Sequence, residues 1–84
     1  MHNDWKYVLM DFPIGGYVII IFPPVITHAD VAKGFPGAEA VSAGFIKLDE
    51  FGKELICYGK SDSLKLMSKP GDAIYANYLL HPPE

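Results

Sequence analysis

The sequence predicts an α+β domain, a mostly antiparallel sheet with two helices in the order β-β-α-β-β-β-α. Three observations carry this. Runs rich in β-branched and aromatic residues are joined by short glycine turns, at Gly15-Gly16 and Phe51-Gly52. Such turns are too short for a crossover, so the strands they join pair antiparallel. Two other segments carry helix start and stop signals. Finally, 84 residues leave room for a single core, so residues 1–84 form one domain.

Taken in order, Trp5 to Asp11 (WKYVLMD) has the aromatic and β-branched content of a strand. Phe12-Pro13-Ile14-Gly15-Gly16 is a turn, because two glycines supply the positive φ that a hairpin needs. Tyr17 to Phe22 (YVIIIF) is the strongest strand. Ile19, Ile20 and Ile21 leave neither face polar, which places it at the sheet centre or at a self-association surface. Pro23-Pro24 ends it, since neither residue can donate to a ladder. Thr27 is the expected N-cap, with Asp30 three residues on, of a short helix over His28 to Lys33 that stops at Gly34. Glu39 to Leu48 (EAVSAGFIKL) reads as a strand with Gly44 as a bulge or point of close approach. Asp49 to Gly52 is a turn and Lys53 to Tyr58 the returning strand. Ser63 to Met67 alternates leucine and polar residues as a half-exposed strand does. Ser68 is expected to cap the last helix. Pro70 suits a first turn, Asp72 suits the positive helix end, and Pro82-Pro83 stops the helix beyond Leu80. On that helix Ala73, Ala76, Leu79 and Leu80 share one face, while Ile74 and Tyr78 lie on another.

Composition narrows the function. The net charge is −3, and none of the seven basic residues is arginine. Arginine makes the bidentate contacts that phosphates and bases require, so direct nucleic-acid binding is not expected. Cys57 is the only cysteine, which excludes an intrachain disulfide and a cysteine-rich zinc site and fits a reducing compartment, the cytoplasm. Met1 to Trp5 lacks the basic stretch of a signal peptide. The uncharged run between Asp11 and Asp30 is broken by Pro13, Gly15, Gly16, Pro23 and Pro24, so no membrane span is expected. Half of the residues are hydrophobic and eleven are aromatic. So small a core cannot hide all of that surface, which predicts a partner, most simply a second copy in a symmetric dimer. Val18, Ile20 and Phe22, with Ile74 and Tyr78, are the expected self-association residues.

Catalytic sets are scarce. Gly59-Lys60-Ser61 matches the end of a phosphate-binding loop, but Glu54 stands where that loop needs glycine, and no helix start follows. The turn reading therefore prevails, leaving Tyr58, Lys60, Ser61 and Ser63 as a polar edge able to touch a ligand. Cys57 with His28 or His81 could form a nucleophile–base pair, but a cysteine between Ile56 and Tyr58 in a strand behaves as a small apolar residue. His2, His28 and His81 lack the spacing that sets two ligands on one helix face, and no metal or cofactor is expected. His28 is expected to be half exposed at its helix start. No catalytic residue is assigned.

Three stretches occur together: Val41-Ser42-Ala43-Gly44-Phe45, then Cys57-Tyr58-Gly59-Lys60-Ser61 with Ser63-Leu64, then Ser68-Lys69-Pro70 with Asp72-Ala73. With His28, Ala29 and Asp30 at the helix start, they resemble a group of small uncharacterised proteins encoded by phages and prophages. Where that group tends to have arginine near Ser61 or before Pro70, this chain has Lys60 and Lys69. The resemblance implies a viral accessory protein and brings no catalytic residue with it. Joined to the composition, it points to non-catalytic binding that inhibits a host protein, such as a defence component, in the host cytoplasm. Two alternatives remain at this point. One is a binder that sequesters a nucleotide-like small molecule at a dimer seam. The other is a structural virion or morphogenesis component.

Overall fold

The computed structural model describes residues 4–81, so His2 and Pro82-Pro83 lie outside the described residues. The fold class is the predicted one. Strands β1 (Trp5–Asp11) and β2 (Tyr17–Phe22) are followed by helix α1 (His28–Lys33) and strands β3 (Glu39–Leu48) and β4 (Leu55–Tyr58). The short strands β5 (Lys60–Ser61) and β6 (Leu66–Met67) then precede helix α2 (Pro70–Leu80). The main sheet has the order β2-β1-β3-β4, antiparallel throughout, and β5-β6 is a separate two-stranded ribbon. Since β2 and β3 both run against β1, the β2-α1-β3 segment crosses over β1. The molecule is a flat plate, 37 × 36 × 18 Å.

Facing pairs on an antiparallel ladder share a side, which sorts the core into two halves. On one side Val8, Met10, Phe22 and Ala43 are buried under Val31, Ala32 and Phe35 of the α1 region and under Leu64 and Leu66 of the ribbon. On the other, Tyr7 and Ile46 pack against Ala76 of α2, with Ile19, Leu55 and Cys57 around them. A bulge falls between Leu9 and Met10 of β1, which face Ser42 and Ala40, so Val41 is the extra residue. Gly44 is instead the point of close approach. A Cβ there would lie 2.4 Å from the Tyr58 carbonyl oxygen, so no larger residue fits without moving β4.

Several expectations need correction. The YVIIIF strand lies at the sheet edge, not its centre, because β1 pairs with β3 on its other side. Phe22 is 5% exposed and packs edge-on against the His28 ring, and Ile20 is partly buried on the same side, so these two side chains serve the chain's own core. His28 is buried rather than half exposed. β4 starts at Leu55 rather than Lys53, because the Lys53 amide donates to the Asp49 carboxylate inside the turn. Ser63 to Met67 is not one strand. Residues 62–65 form a turn in which Ser61 Oγ accepts the Leu64 N–H and Lys65 takes a φ of 56°, leaving only Leu66–Met67 extended. Ser68 does not cap α2. Its N–H donates to the Gly59 carbonyl, and the cap is Lys69, whose N–H donates to Asp72 three residues on. Thr27 does cap α1, its hydroxyl accepting the Asp30 N–H, and Gly34 closes that helix.

Helix α2 departs furthest from its pattern. Of the expected core face only Ala76 is buried, while Leu79 and Leu80 stay about half exposed. Polar side chains hold the helix instead. Asn77 accepts the Leu55 N–H and donates to the Leu55 carbonyl, and the Tyr75 hydroxyl donates to the Tyr17 carbonyl. No helix among the described residues is long and apolar enough to cross a membrane.

Candidate binding cleft

The polar edge expected from Tyr58, Lys60, Ser61 and Ser63 is partly assembled. An open cleft of about 470 Å³ lies where the start of α1 meets the chain leaving β4. Lys6, Thr27, His28, Phe45, Tyr58 and Lys60 line it, together with Asp62 and Ser63. Ser61 does not contribute. It is 1% exposed, and its hydroxyl is used by the turn described above.

Most functional atoms around this cleft already have partners. Ser63 Oγ accepts the Ala29 N–H, which ties the ribbon to the first turn of α1. Lys6 Nζ donates to the Ile26 carbonyl. Lys60 pairs with Asp62 at 3.7 Å, both well exposed, an arrangement worth little in water. The Tyr58 hydroxyl donates to the Asp4 carboxylate, which pushes the phenol up to about 12. Phe45 stacks on the Tyr58 ring at 5.7 Å, and Lys47 Nζ lies 5.2 Å from the ring centre. His28 Nε2 lies 2.9 Å from the Gly44 carbonyl. A carbonyl only accepts, so that nitrogen carries the proton. Burial lowers the histidine's pKa below its ordinary 6.5, and neighbouring Lys6 lowers it further. A phosphate would therefore find Lys6 bonded to the Ile26 carbonyl and Lys60 in only a weak surface pair, and a base would find a tyrosine ring already stacked.

Beneath the other side of the sheet is a polar cluster that sequence reasoning missed. Asp72, 3% exposed, accepts hydrogen bonds from the Tyr7 hydroxyl, from Ser42 Oγ at 2.9 Å and from the Lys69 N–H at 3.0 Å. Tyr7 and Ser42 are fully buried. Burial raises the Tyr7 phenol far above the ordinary tyrosine range, and the Asp72 carboxylate reinforces the shift. Cys57 lies against this cluster. Burial, with Asp72 nearby, pushes its thiol up to about 11, away from the thiolate that a nucleophile needs. His28 sits under the opposite side of the sheet, so the Cys57–His28 pair is not assembled. Among the described residues, no three His, Cys, Asp or Glu side chains gather as a metal site.

With the geometry in place, comparison with known proteins adds no relative: no protein-family model, no curated protein and no solved structure matches the chain. The stretches Val41-Phe45, Cys57-Leu64 and Ser68-Ala73 converge in space. Ser42 donates to Asp72, Gly44 admits the Tyr58 carbonyl while its own carbonyl accepts the His28 N–H, and the Gly59 carbonyl accepts from Ser68. Gly59 itself has a φ of 79° and sits against the Phe45 ring. These residues join β3, β4 and α2, so in this molecule the motif is largely a folding determinant.

Proposed function

We propose that this chain acts by binding another protein and carries no chemistry of its own. The observation behind the reading is the outer face of α2. Ile74 is 74% and Tyr78 57% exposed on a helix whose only buried apolar residue is Ala76. A helix fixed by hydrogen bonds, with its larger apolar side chains outward, presents the anchors that an apolar groove on a partner accepts. Elsewhere, Trp5, Ile21, Leu48 and Leu55 border a largely apolar trench of about 420 Å³ over Ile46, with Asp4 and Lys47 also lining it. Aromatic and aliphatic anchors of this kind carry most of the energy at protein interfaces. The sequence resemblance makes the natural setting a phage-encoded accessory protein, and the partner a host protein such as a defence component in the host cytoplasm.

The test is retention of a host protein on immobilised wild-type chain, repeated with Ile74→Lys and with Tyr78→Ala. Both positions are exposed, so both variants should fold. The reading requires a protein held by the wild type and lost from both variants. Identical profiles on all three would refute it. Engagement of Lys6 and the Tyr58 ring counts against the nucleotide-binding alternative, and a thermal shift with nucleotides would reopen it.

A further inference from the structure

The two edges of the main sheet are treated differently. At β4, Asn77 occupies both the N–H and the carbonyl of Leu55, so a side chain stands where another strand would pair. At β2 only the Tyr17 carbonyl is covered, by the Tyr75 hydroxyl. That bond shows the Tyr17 carbonyl pointing away from β1. Alternation along a strand then puts the N–H and carbonyl of Ile19 and Ile21 on the same open side. No side chain among the described residues caps them. Edge strands usually carry a charge, a proline or a bulge that repels further pairing. β2 has none, being YVIIIF with Tyr17, Val18 and Ile21 all more than 40% exposed.

We propose that β2 is the seam of a symmetric dimer, two copies pairing antiparallel across this edge to make one continuous eight-stranded sheet. The register follows from the outward groups. Centred on Ile20, the pairing sets Ile19 of each copy opposite Ile21 of the other, joining their open N–H and carbonyl groups. Tyr17 of each copy then faces Pro23 of the other. That proline has no N–H to offer, and the Tyr17 carbonyl does not need one, being bonded to Tyr75. The occupant is a second copy for two reasons. The strand is uncharged, so identical strands meet without repulsion. The pairing is self-complementary, as a two-fold axis requires. Because Asn77 blocks the other edge, assembly stops at two copies. The seam stands independently of the partner face on α2.

The experiment is sedimentation equilibrium of the full chain across micromolar concentrations, with circular dichroism as the check on folding. Wild type should fit a monomer–dimer equilibrium of 9.3 kDa chains. Ile21→Pro removes an outward N–H, and Ile21→Lys places a charge at the seam. Each should give a folded monomer, and the lysine variant keeps the test alive if the proline variant does not fold. A monomeric wild type, growth of wild type beyond the dimer, or a dimer that persists in the folded variants would overturn the proposal.

Discussion

Replacing Asp72 by alanine should remove a large part of this domain's stability. Asp72 takes three donors, and two of them, the Tyr7 hydroxyl and Ser42 Oγ, are fully buried. Each buried donor left without a partner costs about 1–3 kcal/mol, while the Lys69 N–H at the more open helix start can turn to water. Losing a carboxylate from the first turn of α2 adds about 0.5 kcal/mol. Asp72→Ala should therefore cost about 4 kcal/mol. A domain of this length has about 4–13 kcal/mol in total, so the variant stands near the edge of folding. Asp72→Asn differs in kind. Its carbonyl oxygen can keep Tyr7 and Lys69 while its NH₂ donates to Ser42, whose hydroxyl rotates, so about 1–2 kcal/mol should be lost. Urea unfolding followed by circular dichroism measures both, and a double-mutant cycle with Tyr7→Phe isolates the central bond at about 1.5–3 kcal/mol of coupling. A loss below about 1 kcal/mol for alanine, or equal losses for alanine and asparagine, would refute the argument, since buried donors cannot be stranded at so small a cost.

Three further outcomes are expected. Burial holds the folded-state pKa of His28 below its unfolded 6.5, so the unfolded chain binds the extra proton first. Stability should be full above that value and fall as the pH drops through it towards the folded pKa. His28→Gln, which keeps a donor for the Gly44 carbonyl, should flatten that fall in thermal melts between pH 8 and pH 5, about the range where histidine titrates. Cys57, with its thiol near 11, should react with a disulfide reagent at neutral pH far more slowly in the native protein than in urea, and equal rates would contradict its placement. Gly44→Ala should cost about 1–3 kcal/mol, because the added Cβ meets the Tyr58 carbonyl and backbone cannot swing aside as a side chain can. A neutral result in urea titration would show that β4 shifts freely.

The four strands of the main sheet, both helices and the Thr27 cap were legible because they rest on local signals: β-branched runs, glycine turns, and a hydroxyl three residues before the amide it receives. The misread elements depend on what lies far away in sequence. YVIIIF is apolar on both sides whether it is central or at an edge, and only the pairing of β1 with β3 decides. The alternation of Leu64 and Leu66 fits a strand, yet Leu64 reaches the core from within a turn and Leu66 from the short strand after it. For the candidate site, Tyr58, Lys60 and Ser63 line one cleft, as near neighbours in the chain can. Ser61 points inward, because its hydroxyl serves the turn. Asp72 could be read locally as a favourable charge at a helix start. Its role as acceptor for Tyr7 and Ser42 could not, since those residues lie 65 and 30 positions away.

That separation also bears on how the chain acquires its structure. The bond between Tyr7 and Asp72 closes a loop across most of the sequence, and β1 pairs with β3 across the whole β2-α1 segment. Contacts this remote must overcome chain entropy before they return any stabilisation, which slows folding to the millisecond-to-second range of strand-rich domains. Until α2 docks, Tyr7 and Ser42 have no carboxylate to receive their protons, and one side of the sheet is bare.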